Sequence, residues 1–210
     1  MAASFFILFE EEGDSVTEQQ WEKKLRISTT GRNASHADAY RYPYEPTPYC
    51  VLERIVNSGV ISKDHVLVDY GCGRGRVGFF LHNQTGCRTI GVEYDPEIYA
   101  QAMENLRTSG TPNGVIFDCA RAEQFCADEG DRFYFFNPFS LEVLQSVFGR
   151  IVASYYGKPR DIKLLFYYPS DTYRAWLMTQ SQLLFCGELD CKDLFDGADP
   201  RETVLIFEIR

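Results

Sequence analysis

One passage narrows the possible folds more than any other: Val66-Leu67-Val68-Asp69-Tyr70-Gly71-Cys72-Gly73-Arg74-Gly75. Its apolar, β-branched start predicts a buried strand. Gly71, Gly73 and Gly75 then alternate with other residues. Without Cβ atoms they can take left-handed backbone angles and let a ligand lie against the main chain. Val77–His82 reads as the body of a helix that begins just past the turn. The N–H groups of a helix's first turn lack intrahelical partners and suit an anion. A strand, a glycine turn and a helix in this order are the opening unit of an open α/β fold.

The rest of the chain continues that alternation. Strands are predicted at Thr89–Glu93, Val115–Asp118, Phe133–Phe136 and Ile162–Tyr168. Helices are predicted at Pro96–Leu106, around Ala120–Cys126, at Leu141–Tyr155 and at Tyr173–Met178. Asp95 is the expected N-cap of the first of these, with Pro96 in its first turn and Gly110 near its end. Leu183–Leu189 and Val204–Ile209 are two strands with no room for a helix between them, so they should pair antiparallel. The sum is an α/β chain: a doubly wound, mostly parallel seven-stranded sheet with helices on both faces and its last strand reversed. Residues 61–210 are expected to form that Rossmann-like domain, and residues 1–60 read as an N-terminal extension. Within the extension, Ser4–Phe9 suggests a short strand, Val16–Ile27 a helix, Ser28–Tyr40 a polar connection and Cys50–Ser58 a second helix.

Composition then removes function classes. The formal charge is -9, and the densest basic runs, Lys23-Lys24 and Arg74/Arg76, are short. Extended nucleic acid calls for a basic stripe that displaces phosphate counterions, so this balance argues against such a partner. Proteins, amines and small metabolites fit better. Seven cysteines follow no framework spacing, and the histidines are scattered at His36, His65 and His82, which argues against a zinc site. The isolated cysteines are expected to be small buried hydrophobes in a reducing compartment. Phe5–Phe9 is apolar but lacks a basic leader and meets Glu10-Glu11-Glu12 at once, so neither a signal peptide nor a membrane span is expected. The expected location is cytoplasmic.

The glycine spacing is selective. A dinucleotide fingerprint needs its third glycine where Arg76 stands, and no Gly-Lys-Ser/Thr marks a phosphate loop. Glu93 ends the second strand, where a carboxylate can accept hydrogen bonds from both ribose hydroxyls. Asp118 ends the third and can accept from an adenine amine. These strand tips fall along one sheet edge, where open α/β folds bind ligands. As a set, Asp69-x-Gly71-x-Gly73-x-Gly75, Glu93 and Asp118 resemble the class I S-adenosylmethionine-dependent methyltransferases over about residues 50–210. The resemblance implies S-adenosyl-L-methionine as cofactor, with Asp69 and the turn's N–H groups at its amino acid tail. Cys72 in the turn and Tyr94 beside Glu93 join the cofactor-binding candidates.

At the fourth strand tip, Asn137-Pro138-Phe139 resembles the Asn-Pro-Pro-Tyr/Phe motif of methyltransferases acting on nitrogen, and still more the Asn-x-Phe arrangement of non-SET lysine methyltransferases. In those enzymes the asparagine oxygen and the next carbonyl take hydrogens from the acceptor amine. Asn137, Pro138 and Phe139 are therefore the catalytic candidates, with Asn137 also beside the cofactor. The absent second proline weakens the case for a planar base or amide substrate. Tyr44-Glu45-Pro46-Thr47-Pro48-Tyr49 resembles the segment that covers the cofactor in some lysine methyltransferases. That likeness implies Tyr44 and Thr47 at the cofactor and Glu45 near the acceptor. Tyr40, Tyr42, Tyr44, Tyr49, Phe136 and Phe139 would wall an aromatic channel that favours a developing cation. The expected function is methyl transfer to a nitrogen acceptor, a protein lysine or small amine. The alternatives are a nucleic-acid base N-methyltransferase and a module that binds the cofactor without catalysis.

Overall fold

A computed structural model describes residues 17–31, 44–110, 113–197 and 199–210. The expected strand Ser4–Phe9, Val16, residues 32–40 of the polar connection, Tyr42 and Pro43 lie outside the described residues.

Seven strands make one sheet: β1 (Val66–Tyr70), β2 (Arg88–Glu93), β3 (Val115–Cys119), β4 (Arg132–Phe135), β5 (Lys163–Tyr167), β6 (Leu183–Asp190) and β7 (Thr203–Ile209). Their order is β3-β2-β1-β4-β5-β7-β6. The first five run parallel. β7 is inserted between β5 and β6 and runs antiparallel to both. The reversed final strand is thus where the missing crossover helix required it.

Six helices accompany the sheet among the described residues: α1 (Glu18–Leu25), α2 (Tyr49–Asn57), α3 (Arg76–Thr85), α4 (Pro96–Ser109), α5 (Leu141–Gly157) and α6 (Asp171–Leu177). None is long and apolar enough to cross a membrane. Local chemistry sets their ends. Thr17 closes a capping box with Gln20 at the start of α1, and Arg26, at φ 56°, ends it. The Asp95 carboxylate accepts from the Glu97 and Ile98 N–H groups, and Gly110 ends α4 in the left-handed region, as the sequence indicates. The expected helix over Ala120–Cys126 is instead a single 3-10 turn, Ala122–Gln124.

The strands alternate faces residue by residue, which sorts the core into two layers. Val68, Tyr70, Phe133, Phe135, Leu164 and Phe166 pack with α5 and α6. Leu67, Tyr134, Leu165 and Tyr167 pack on the other face with Trp21, Leu52, Ile55 and Phe80 of α1, α2 and α3. The N-terminal helices are therefore built into the domain's core. Period two also puts Asp69 on the α1–α3 side with Leu67, beside its register partner Tyr134. One expectation fails in part: Cys72, Cys87 and Cys191 are buried, but Cys119, Cys126 and Cys186 are exposed. Cys119 closes the edge strand β3, and Cys186 lies on the edge strand β6, where one side of the strand has no neighbour.

Candidate active site

A cavity opens at the C-terminal ends of β1, β2 and β4, and Asp69, Glu93 and Asn137 all line it. Asp69 is only 3% exposed. Its Oδ2 atom has no hydrogen-bond partner. Burial, and then the nearby Glu93 charge, push its carboxyl up to about 8. Glu93 is better satisfied: Oε2 accepts from the Gly73 N–H and Oε1 from the Asp95 N–H, each at 2.9 Å. Burial nevertheless raises its pKa against those bonds.

The glycine turn supports this arrangement from beneath. The N–H groups of Gly71 and Cys72 both donate to the Val92 carbonyl, locking the turn to β2. Gly71 has φ 74°, and a Cβ there would lie 2.5 Å from the Pro138 Cβ. Glycine is thus required both for the backbone angle and for the approach of the Asn137-Pro138 corner. Gly71→Ala is expected to destabilise the protein by about 2 kcal/mol and to weaken ligand binding, as checked by urea denaturation and calorimetry. Gly73 lies under the Tyr44 ring, and Gly75 under that of Phe117. These two glycines make room for neighbours and do not themselves line the cavity.

The segment from Tyr44 to Thr47 walls one side. The Tyr44 hydroxyl donates to the Thr29 carbonyl at 2.5 Å, and burial raises its pKa. Thr47 Oγ1 shares a 2.8 Å hydrogen bond with the Tyr134 hydroxyl. Both hydroxyls expected to reach a ligand therefore already have protein partners. Arg76 ties the wall to α1. It is 2% exposed, and it pairs with Glu18 and, at 3.4 Å, with Glu22. Its Nε donates to Thr29 Oγ1 at 2.7 Å and its Nη1 to the Thr47 carbonyl at 3.1 Å. Its guanidinium lies 4.3 Å from the Tyr49 ring centre.

Asn137 also lines the cavity and holds a left-handed backbone, φ 40°. Its Nδ2 donates to the Tyr168 carbonyl at 2.5 Å, and its Oδ1 accepts from the Ser170 N–H at 3.1 Å. One partner is an acceptor and the other a donor, which fixes the orientation of the amide. Phe139 lines the cavity but is 5% exposed, edge-on to Tyr70 and Phe135. Phe136 lines it as well and packs on Tyr167, ring centres 4.7 Å apart.

The fold thus brings together Tyr44, Thr47, Asp69, Gly71, Cys72, Glu93, Tyr94, Asn137, Pro138 and Phe139. Tyr94 is 42% exposed and lies under the Arg121 guanidinium at 5.3 Å. Asp118 is not among the lining residues; it is exposed, and Ala120–Glu123 occupy that side. Tyr49, expected to wall the channel, is 1% exposed in the core beside Phe80. Tyr40 and Tyr42 lie outside the described residues. Arg76 and Tyr134 line the site and were not singled out as functional in the sequence. Glu18 and Glu22, one helical turn apart, were the available signal for a buried cation.

No family model matches the chain. It is 32% identical over 69 residues to a protein-lysine N-methyltransferase of Saccharolobus islandicus (strain REY15A), covering 32% of this chain and 43% of that one. It is 44% identical over 55 residues to the H3 lysine-79 specific histone-lysine N-methyltransferase of Dictyostelium discoideum, covering 26% of this chain and 3% of that one. The chain thus matches less than half the length of these curated relatives. In structure it is similar to an RNA methyltransferase of Salinibacter ruber solved with S-adenosyl-L-homocysteine: TM-score 0.62, 19% identity, 79% of this chain and 94% of that one. It is also similar to the precorrin-6y C5,15-methyltransferase of Geobacter metallireducens GS-15: TM-score 0.55, 15% identity, 85% and 93%. The shared feature is the fold, that of the class I S-adenosylmethionine-dependent methyltransferases.

Proposed function

We propose that this chain, with the class I methyltransferase fold as its frame, uses S-adenosylmethionine to methylate a nitrogen acceptor, a protein lysine or a small amine. The observation that carries the cofactor is Asp69, a cavity-lining residue with one buried carboxylate oxygen, Oδ2, that has no hydrogen-bond partner. Such an atom calls for a cationic donor, and the cofactor's ammonium is one. No side chain caps the first turn of α3, so its N–H groups are open to a carboxylate. Glu93 keeps lone pairs beyond its two backbone bonds, which suits a pair of ribose hydroxyls. Tyr94 and Ile98 offer apolar surface for a base.

When bound, the cofactor supplies an electrophilic methyl group on sulfur. The protein's part is alignment and exclusion of water. Phe136, Pro138 and Phe139 form an apolar wall that disfavours a charged amine, so an acceptor nitrogen gives up its proton more readily there. Asn137 Oδ1 retains a second lone pair beside its Ser170 bond and can aim an acceptor N–H. Positive charge that moves to the acceptor meets an acidic surround. Glu45, Glu93, Asp95 and Glu123 line the cavity against two arginines: Arg76, answered by Glu18 and Glu22, and Arg121, which pairs with Glu123 at 3.6 Å. That balance, the charge of -9 and the two lysine methyltransferase relatives favour an amine over a nucleic-acid base.

Calorimetric titration with S-adenosylmethionine, S-adenosylhomocysteine and NAD tests the cofactor. Micromolar binding of the first two without an NAD signal is expected, followed by transfer of labelled methyl to the protein or amine fraction of an extract. Failure to bind either sulfur compound would sink the proposal; label confined to RNA would overturn the acceptor.

Asp69 also predicts a pH dependence. Its carboxyl is raised in the folded chain from 3.8 to about 8. The stability it contributes is therefore full below about pH 4 and is lost as the pH rises toward about 8. Asp69→Asn should gain stability relative to the wild type across that window, read by urea denaturation. Cofactor affinity should run the other way, rising with pH to about 8 as the carboxylate ionises for its ammonium partner.

A further inference from the structure

We propose that Tyr168, held by Asp199 and Arg201, is the positioning residue that fixes Asn137 on the acceptor side of the cavity. The inference rests on the reading of Asn137 as the group that faces the acceptor amine.

Three non-glycine residues among those described have positive φ, and two of them, Asn137 at 40° and Tyr168 at 49°, are bonded to each other. Asparagine tolerates that region, whereas a bulky aromatic residue rarely enters it and stays only when its surroundings hold it there. Tyr168 is held at both ends. Its N–H donates to the Thr203 carbonyl at 3.0 Å. Its hydroxyl donates to Asp199 Oδ2 at 2.5 Å and accepts from Arg201 Nη2 at 2.6 Å. The Arg201 guanidinium also lies 4.5 Å from the ring centre. Asp199 is itself gripped by the Arg201 main-chain N–H at 2.9 Å and by its Nη2 at 2.8 Å.

The consequence is directional. With ring and hydroxyl fixed, the Tyr168 carbonyl is held toward the Asn137 Nδ2 that donates to it, and the Ser170 N–H takes the Asn137 Oδ1. The asparagine cannot rotate without breaking both bonds. A plain turn after β5 needs none of this, and a glycine or asparagine in place of Tyr168 would satisfy the backbone alone. What tyrosine adds is a connection from the loop that leads into β7 to the cavity wall.

The test uses the whole 210-residue chain labelled with 15N-asparagine, the Asn137 side-chain amide pair being identified by its loss in Asn137→Ala. In Tyr168→Phe, which keeps the ring, that pair should shift and exchange with water at least tenfold faster. Asp199→Asn should act in the same direction, and it serves as the second variant if Tyr168→Phe folds poorly. Affinity for S-adenosylhomocysteine should stay within twofold in both. With an amine that the wild type methylates, kcat should fall at least tenfold at unchanged KM for S-adenosylmethionine. An unmoved Asn137 amide in both variants overturns the proposal, as does a loosened amide with unchanged kcat. If the wild type fails to bind S-adenosylhomocysteine, the functional reading falls, and the amide signal still decides whether Tyr168 holds Asn137.

Discussion

Glu93→Ala is expected to weaken cofactor binding by a factor of about one hundred or more. The Glu93 carboxylate accepts from the main chain at two places, Gly73 in the glycine turn and Asp95 at the head of α4. Its removal leaves both N–H groups without their partner, frees the turn and deletes the acceptors for the ribose. A hydrogen bond to a charged group contributes about 1.5–3 kcal/mol. Loss of two such contacts corresponds to about 3–6 kcal/mol, or roughly two to four decades of affinity. Glu93→Gln keeps one acceptor oxygen and should lose only about one decade. Calorimetry with S-adenosylhomocysteine reads both variants. Affinity of Glu93→Ala within threefold of the wild type would mean that the ribose lies elsewhere.

The second large effect is on stability. Arg76→Met should cost about 3 kcal/mol, because it strands the Glu22 carboxylate in a nearly closed site and deprives Glu18 of its partner. Arg76→Lys should recover only part of this. An ammonium is a point charge, whereas the guanidinium serves Thr29, Thr47, Glu18 and Glu22 at once. Adding Glu18→Gln and Glu22→Gln to Arg76→Met should restore much of the loss, since no stranded charge then remains. Urea denaturation measures all three, and amide exchange in α1 should quicken in the first. A triple variant no more stable than Arg76→Met would assign the loss to packing against Tyr49 instead.

The order of strands and helices was legible because it depends on near neighbours. Strand β1 begins at Val66 and ends at Tyr70, where the apolar run meets its first glycine. Asp95, Pro96 and Gly110 bound α4 through capping chemistry that needs no tertiary contact. The cavity was legible where strand tips carry it, as with Asp69, Glu93 and Asn137. What stayed hidden joins residues far apart in the chain. Arg76 is 58 positions from Glu18, and Asn137 is 31 from Tyr168. No periodicity links such pairs. Asp118 lies at the end of β3 as its sequence position indicates, but β3 is an edge strand, and the side chain is exposed and outside the cavity lining. Tyr49 looked like part of an aromatic wall by proximity in sequence, yet it is the first residue of α2 and turns into the core.

The reversed direction of β7 also governs how the molecule can be handled. Val204 pairs with Tyr167 next to the cavity wall, and the strand then runs away from it until Glu208 pairs with Lys163. Four residue steps at about 3.3 Å each make a separation of roughly 13 Å. The Arg210 N–H donates to the Gln182 carbonyl, beyond that far end. An affinity tag, fluorophore or surface linker joined after Arg210 therefore leaves from the rim opposite the cavity. Immobilised in that orientation, the protein presents its open side to whatever flows past.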